Sequence, residues 1–209
     1  MYTPASFKVD DQAQIEAFLR QHDFATVVSS PATGMVVTHV PLVVRRGSAG
    51  LVLVGHVARA NAHWKLMDGA AESLAIFLGP HGYISPTWYA SGPAVPTWNY
   101  AAVHAYGRPR VVDDATFTRD LLAELVARYE TGPHAWRMED LPPTYSDART
   151  SAIVAFELPV ERLEAKFKLG QNRSAADQAG AIAGLQRQGS PEAVALAALM
   201  QDQMNRSGD

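Results

Sequence analysis

The sequence predicts an α+β fold that is mainly antiparallel β, with peripheral helices and two helices at its C-terminal end. Two observations lead to this expectation. Short β-branched runs alternate with turns rich in proline and glycine through most of the chain, and the last segment carries legible helix caps. We therefore expect one domain over residues 1–209, with 170–209 as a helical appendage.

The N-terminal half begins with one short helix and continues as strands. Ile15, Phe18 and Leu19 follow an acidic start, and this spacing predicts an amphipathic helix. Pro41, inside the second predicted strand, indicates a bulge or an edge position. The turn at 47–50 predicts a hairpin between its two flanking strands. Strands are expected at 24–30, 35–46, 51–58, 74–80 and 103–112.

The C-terminal half mixes one more helix with the last strands. A helix is expected to begin near Asp113 or Asp114, because apolar residues then recur at helical spacing. The region 132–150 is rich in turn residues. β-rich sequence at 152–158 and at 162–169 predicts two final strands.

The chain ends in two helices whose caps are visible in the sequence. Ser174, followed three residues later by Asp177, has the spacing of a capping box. Gly189 is a typical helix stop, since glycine adopts the left-handed conformation without strain. Ser190 then caps the next helix and Pro191 occupies its first position.

The overall composition argues against nucleic acid as a direct ligand. The chain is 47% hydrophobic and 19% charged, which is typical of a folded globular protein. Its formal net charge is −3. Tight DNA binding needs a basic face that displaces counterions from phosphates, so direct DNA binding is doubtful on charge grounds.

The cysteine count and the chain's start bear on its compartment. The absence of cysteine excludes disulfides, thiolate catalysis and cysteine-ligated metal. The start MYTPASFKVDD lacks a charged leader followed by an apolar run, and no apolar stretch approaches about 18 residues. We therefore expect a cytoplasmic protein without a membrane-spanning segment.

The segment GHVARANAHW places Arg59 and Asn61 where a strand gives way to a helical turn at 60–67. The planar donors of arginine match a phosphate, and the free N–H groups of a helix start favour an anion. The alternative is that Asn61 only caps the turn and Arg59 is a solvated surface charge. This segment alone does not separate the two hypotheses.

Two further segments combine aromatic and donor-rich residues. VPTWNY brings Trp98 and Asn99 together, a pair that can stack on a planar heterocycle and bond its rim, although the segment taken alone favours a turn anchored by a buried tryptophan. FKLGQNRS places Lys168, Gln171 and Arg173 just before a capped helix. These donors could reach a ligand's oxygens, but an exposed turn has the same composition.

The histidines of the middle region do not form a recognisable metal motif. There is no HExxH, and His56 and His63 stand seven residues apart without acidic company, so we assign no metal site. Signature motifs of α/β-hydrolases, Rossmann folds and P-loop proteins are also missing. Five histidines lie in this region: His39, His56, His63, His81 and His104.

Taken together, several long segments resemble one known family. They are MYTPASF, THVPLVV, GHVARANAHW, IFLGPHGYISPTWY, VPTWNYAAVHAYG and KLGQNRSAADQAGAIAGL. In this order they are similar to the PaiB-type FMN-binding negative transcriptional regulators, part of the FMN-binding split-barrel superfamily. One departure is Ala62, where members of the family often have proline at a helix start, so rigidity rather than chemistry should differ.

The resemblance implies a single six-stranded FMN-binding split barrel and a homodimer with FMN at its interface. It implies that Arg59 and Asn61 hold the FMN phosphate, and that Thr38 and His39 line the cleft beside the phosphate and ribityl chain. Contacts nearer the flavin ring are expected from five further residues, and the second subunit is considered as a source of Trp98 and Asn99. These residues are Trp98, Asn99, Lys168, Gln171 and Arg173.

Three functions are compatible with this family. The first is a flavin-dependent redox protein, including an FMN-dependent oxidoreductase, for which the sequence identifies no catalytic residue. The second is a transcriptional regulator that acts through a protein partner or through the redox state of its flavin. The third is a haem-binding or haem-degrading split barrel, since isolated histidines could serve as axial ligands.

Overall fold

The structure is a computed structural model that describes residues 1–48 and 50–206. Within these residues, nine β-strands are interspersed with five α-helices. The strands are β1 (Lys8–Val9), β2 (Phe24–Ser29), β3 (Val36–Pro41), β4 (Val43–Gly47), β5 (Gly50–Ala58), β6 (Ser73–Ile84), β7 (Thr97–Gly107), β8 (Arg110–Val111) and β9 (Ile153–Lys168). The helices are α1 (Gln12–Gln21), α2 (Ala115–Tyr129), α3 (Pro143–Ser151), α4 (Ala175–Gln188) and α5 (Pro191–Arg206).

The strands form one sheet in the order β3-β2-β6-β7-β9-β5-β4, and β1 and β8 each pair with β9. The pairs β2–β3, β2–β6, β4–β5 and β5–β9 are antiparallel. The predicted class, an α+β fold with mainly antiparallel strands and two C-terminal helices, is therefore confirmed. The strand number is higher than the six expected, partly because β1 and β8 are two-residue strands that no sequence pattern announces.

The predicted strand at 35–46 is divided in two at Leu42. Pro41 has no N–H to donate, and the next N–H, that of Leu42, donates to the carbonyl of Asp23 at 2.8 Å, just before β2 begins. The chain thus passes from β3, at one end of the strand order, to β4, at the other. The sequence prediction of an edge position for Pro41 is confirmed, because β3 is an edge strand.

The hairpin predicted after this strand is present between β4 and β5. Val43 lies opposite Val54, and Gly47 lies opposite Gly50. Of the predicted turn, Ala49 lies outside the described residues. The helical turn expected at 60–67 is a short 3₁₀ turn, Ala62–Leu66.

Two regions near the C-terminal end differ from the sequence prediction. The strands expected separately at 152–158 and 162–169 are one strand, β9, because Pro159 lies at the end of its ladder with β5, opposite Val52, where a missing donor is tolerated. The region 132–150, expected to be turns, includes α3. This helix has no buried residue, so it lacks the apolar stripe by which helices are recognised.

The described residues form two compact units. Unit 1 comprises Met1–Phe18, Leu78–His104 and Glu164–Asp209, and unit 2 comprises Leu19–Phe77 and Ala105–Leu163. None of the described helices has both the length and the apolar character that a membrane span requires.

The core of unit 2 forms where α2 packs on the sheet. Val43 and Val54 of the hairpin and Leu121 of α2 are almost entirely buried and belong to one cluster. Full burial of an aliphatic side chain of this size contributes about 1.5–3 kcal/mol. Asp114 begins α2, as predicted, by accepting hydrogen bonds from the N–H groups of Thr116 and Phe117.

Unit 1 is organised around α4 and α5. Leu185 and Leu196 are fully buried, and both contact the position where a Cβ of Gly82 would stand. The predicted caps are confirmed: the Ser174 hydroxyl accepts from the Asp177 N–H, and Gly189 ends α4 in the left-handed conformation at φ 71°. The KLGQNR segment ends directly before Ser174. The cap at Ser174 therefore fixes the point at which this donor-rich segment, which begins at the end of β9, enters α4.

Candidate functional site

A polar junction in unit 2 joins β3 to the turn that follows β5. Asn61 caps this turn, and its side-chain oxygen accepts from the His63 N–H at 3.0 Å. Its amide nitrogen donates to the Thr38 hydroxyl at 3.1 Å. The capping role considered for Asn61 is therefore real, but the same side chain also holds a residue of β3.

Thr38 and His39 project to opposite faces of β3 because they are adjacent in a strand. Thr38 is half-buried, and its hydroxyl lies 2.8 Å from Nδ1 of His63. His39 is exposed, and its Nδ1 lies 3.0 Å from the Thr26 hydroxyl on β2. Both residues, with Asn61 and His56, line a cavity of about 300 Å³, which we call the β3–β5 cavity.

His56 also lines this cavity, although the sequence analysis did not assign it to ligand binding. Its Nδ1 is buried and has no hydrogen-bond partner among the described residues. Burial lowers the pKa of His56, so the ring is neutral at neutral pH. The sequence signal was available in GHVARANAHW, because His56 stands in a strand two residues from the helical-turn junction.

Arg59 lies beside a different cavity of unit 2. Its Nε donates to the carbonyl of Ser151 at 2.8 Å and its Nη2 to that of Ile153 at 3.0 Å, so the guanidinium binds the end of α3 and the start of β9. This second cavity, of about 390 Å³, is also lined by Arg119 and Asp147, and Ile153 lines both cavities. Arg59 is exposed, but it is held by the backbone rather than free in solvent.

Lys168 is the central cation of the predicted set in unit 1. Its Nζ donates to the Thr97 hydroxyl and to the Trp98 carbonyl, both at 2.5 Å. Burial lowers the pKa of this ammonium, and the positive charges of Lys166 and Arg173 lower it further. Three cations therefore act on one small region, and an anion there would relieve their repulsion.

The other predicted residues of unit 1 differ in how free they are to meet a ligand. Trp98 is 48% exposed and stacks on His81 with ring centroids 5.9 Å apart. Asn99 is 2% exposed, and its amide donates to Sδ of Met200 at 3.5 Å. Gln171 closes its own turn, accepting from the Leu169 N–H at 2.8 Å.

A cavity of about 100 Å³ gathers part of this set. It is lined by Asn99, Lys168 and Arg173, and also by Tyr89 and Thr97, which the sequence did not single out. Arg173 lies over the Tyr89 ring at 4.7 Å. The sequence signal for Tyr89 was weak, because it stands in a loop-rich stretch without periodicity, whereas Thr97 stands in the VPTWNY segment at the start of β7.

The predicted residues thus fall into two groups. Thr38, His39 and Asn61 meet at the β3–β5 cavity of unit 2, with Arg59 on its neighbour. The remaining five belong to unit 1. Among the described residues, no three histidine, aspartate or glutamate side chains are grouped so that they could hold a metal ion.

The fold defines a class: this chain is a split-barrel protein with peripheral helices. It is similar to the flavocytochrome Anf3 from Azotobacter vinelandii, with a TM-score of 0.60, 17% identity, and coverage of 77% of this chain and 69% of the other. It is also similar to an FAD and heme binding protein from Mycobacterium smegmatis, with a TM-score of 0.57, 16% identity, and coverage of 83% and 79%. At these identities the likeness concerns the fold alone.

The family follows from the sequence comparisons. The family model described as "Putative FMN-binding domain" matches residues 1–162. A Bacillus subtilis (strain 168) protein named "Protease synthase and sporulation protein PAI 2" is 34% identical over 208 residues, which is 99% of each chain. This chain belongs to that FMN-binding family, its cofactor is FMN, and the resemblance to PaiB-type regulators is confirmed.

Proposed function

We propose that this protein holds FMN in a homodimer and acts as a flavin-dependent redox or regulatory protein. In this proposal Thr38, His39, Arg59 and Asn61 hold the phosphate and ribityl chain. Contacts near the flavin ring come from a second set, supplied by either protomer. These are Trp98, Asn99, Lys168, Gln171 and Arg173.

The observation that carries the proposal is the β3–β5 cavity. Its Thr38 hydroxyl and Asn61 amide are already positioned by hydrogen bonds to each other and to the turn after β5. Donors held in place before binding lose little side-chain entropy when a ligand arrives. A phosphate monoester offers several acceptor oxygens to such a set.

The donor chemistry of the described residues fits FMN at both of its polar ends. The buried Nδ1 of His56 lacks a partner in the described residues, which leaves one hydrogen-bonding group of the cavity for a ligand. Burial lowers the pKa of Lys168, and the neighbouring charges of Lys166 and Arg173 lower it further, so these cations repel one another. A flavin supplies electron-rich carbonyl oxygens that such cations favour.

A homodimer is supported by the exposed apolar side chains. Phe24 is 66% exposed and Val37 52% exposed in unit 2, and Leu78 and Trp98 are 54% and 48% exposed in unit 1. A dimer interface would remove such large apolar side chains from water, which is favourable. Size-exclusion chromatography with light scattering measures the mass directly, and a monomer at micromolar concentration would contradict the dimer.

For the function itself, the bound FMN would supply hydride or single-electron chemistry, while the protein supplies binding, orientation and electrostatics. The formal charge of −3 argues for regulation through a partner or through flavin redox state, rather than through direct DNA contact. A relative carries a name that refers to protease synthase and sporulation, which favours the regulatory hypothesis. Residence in the cytoplasm stays a prediction.

The first experiment is a visible spectrum of the purified protein, before and after adding FMN. We expect flavin absorption from bound FMN, and free FMN should be released when the protein is denatured. A colourless protein that fails to bind added FMN would contradict the proposal. An intense Soret band would instead support the haem alternative.

Replacing Arg59 with glutamine tests the phosphate assignment. We expect FMN affinity to fall about tenfold, because a charge-assisted contact contributes about 1.5–3 kcal/mol. The affinity for riboflavin, which lacks the phosphate, should fall much less. Arg119→Gln is the matched control, since Arg119 is an exposed arginine on the same cavity as Arg59. Equal losses in both variants would show that general charge, rather than Arg59, is responsible.

A further inference from the structure

A chain of hydrogen bonds connects the interior of unit 2 with the β3–β5 cavity. The Ser73 and Ser29 hydroxyls lie 2.6 Å apart, and the Ser29 hydroxyl lies 2.8 Å from Nε2 of His63. On its other side, Nδ1 of His63 lies 2.8 Å from the Thr38 hydroxyl. The two serines and His63 are at most 3% exposed, whereas Thr38 lines the cavity.

The three hydroxyls in this series of hydrogen bonds can each reverse their direction of donation, but the His63 ring cannot do so without changing its tautomer. A hydroxyl can donate one proton and accept two, but a neutral imidazole carries its proton on one nitrogen only. Burial lowers the pKa of His63, so the neutral ring is the form to consider at neutral pH. The tautomer of His63 therefore fixes the direction of the whole chain.

The two tautomers leave Thr38 with opposite hydrogen-bonding character. If Nε2 carries the proton, the ring donates to Ser29, and Thr38 must donate its own proton to Nδ1. If Nδ1 carries the proton, the ring donates to Thr38, as the Asn61 amide also does at 3.1 Å. Thr38 has then used its acceptor positions, and its proton is free to point into the cavity.

We propose that His63 is a positioning residue whose Nδ1-protonated tautomer turns the Thr38 hydroxyl into a donor toward a phosphate oxygen in the β3–β5 cavity. This inference rests on the proposed phosphate-binding role of that cavity. It deepens that role by naming a buried residue that does not touch the ligand.

The phosphate selects this tautomer because it presents acceptor oxygens. In the other tautomer, Thr38 could present only a lone pair to an anion, which is repulsive. With Nδ1 protonated, each hydroxyl proton has an acceptor: Ser73 donates to Ser29, Ser29 to Nε2, and Thr38 to the phosphate. A chain in which all members donate in one direction is also strengthened cooperatively.

The test compares the affinities for FMN and for riboflavin in three variants and one combination. His63→Gln and Thr38→Val should each lower FMN affinity about tenfold and change riboflavin affinity less than about twofold. The double variant should bind FMN about as well as either single one, because both remove the same contact. His63→Asn places an amide near the position of Nδ1, so it should retain much of the preference for FMN.

Losses that multiply in the double variant would overturn the inference, as would equal losses for FMN and riboflavin. If wild-type protein binds no FMN, the proposed function fails instead. Nitrogen-15 NMR of the wild-type holoprotein gives a test that needs no folded variant. His63 should show a protonated Nδ1 and an accepting Nε2, and a ring protonated at Nε2 with FMN bound would refute the proposal.

Discussion

Replacing Gly184 with alanine is expected to destabilise the protein by about 2 kcal/mol, or about 4–8 °C in melting temperature. A Cβ on Gly184 would stand 2.2 Å from Cδ2 of Trp88 and 2.6 Å from two further atoms of its indole. Gly184 is buried in the middle of α4, so the helix cannot move away from the ring without losing its own packing. Thermal denaturation followed by circular dichroism measures the change.

The expected loss is the opposite of what helix propensity alone predicts. In a helix interior, alanine is more favourable than glycine by about 1 kcal/mol, so a glycine there needs another reason. Gly180, one turn earlier, has the same reason, because a Cβ there would stand 2.0 Å from the Trp88 carbonyl oxygen. The two glycines let the backbone at Trp88 lie directly on α4.

Two controls separate this contact from a general effect on the helix. Gln186→Ala, at an exposed position of α4, should change stability by less than about 0.5 kcal/mol. In a Trp88→Ala background, Gly184→Ala should become neutral or stabilising, since the ring is gone. The same loss with and without the Trp88 ring would contradict the explanation.

The sequence predicted most of the fold because the residues that begin and end its helices act through local contacts. Asp114, Ser174 and Gly189 determine helix ends through bonds within a few residues, and those bonds are found as expected. Tertiary contacts decide the elements that were predicted incorrectly. Pro159 does not end β9, because it lies at the end of the ladder with β5, where a missing donor is tolerated. The sequence alone does not show this position. The short polar helix α3 has no buried face, so no apolar stripe in the sequence predicts it.

The candidate site was less predictable, because residue type indicates chemistry but not which partner satisfies it. Arg59 has the side chain expected of a phosphate ligand, yet two of its donors bind carbonyls at the end of α3 and the start of β9. Gln171 has a side-chain amide that could bind a ligand, yet both its oxygen and its nitrogen bond to the backbone of its own turn. Conversely, no role in ligand binding was predicted for His63, because its bonds to Ser29 and Thr38 join residues far apart in the chain.

Replacing Asp177 with alanine is expected to lower thermal stability and to weaken FMN binding together. This carboxylate is 2% exposed and accepts from the N–H groups of Ala90 and Ser91 at 2.9 Å and from the Ser91 hydroxyl at 2.6 Å. It thereby holds the loop that leads from Tyr89 to Thr97, two residues that line the cavity beside Lys168. Without it, two backbone donors lose their acceptor. Limited proteolysis within this loop should become faster in the variant.

The charge of Asp177 makes the stability of the folded protein depend on pH. The hydrogen bonds from Ser91 are the main cause that lowers the pKa of this carboxyl below its ordinary value of about 3.9. A depressed pKa in the folded state means that the stabilisation is complete above about pH 4 and is lost as the pH falls through the folded value. Asp177→Asn keeps the shape and an acceptor oxygen but removes the charge, so it should flatten this acidic limb. Asp202→Asn, an exposed carboxylate on α5, is the control that should leave the limb unchanged. If Asp177→Asn also leaves the limb unchanged, the carboxylate bonds to the 89–97 loop do not carry the acid sensitivity.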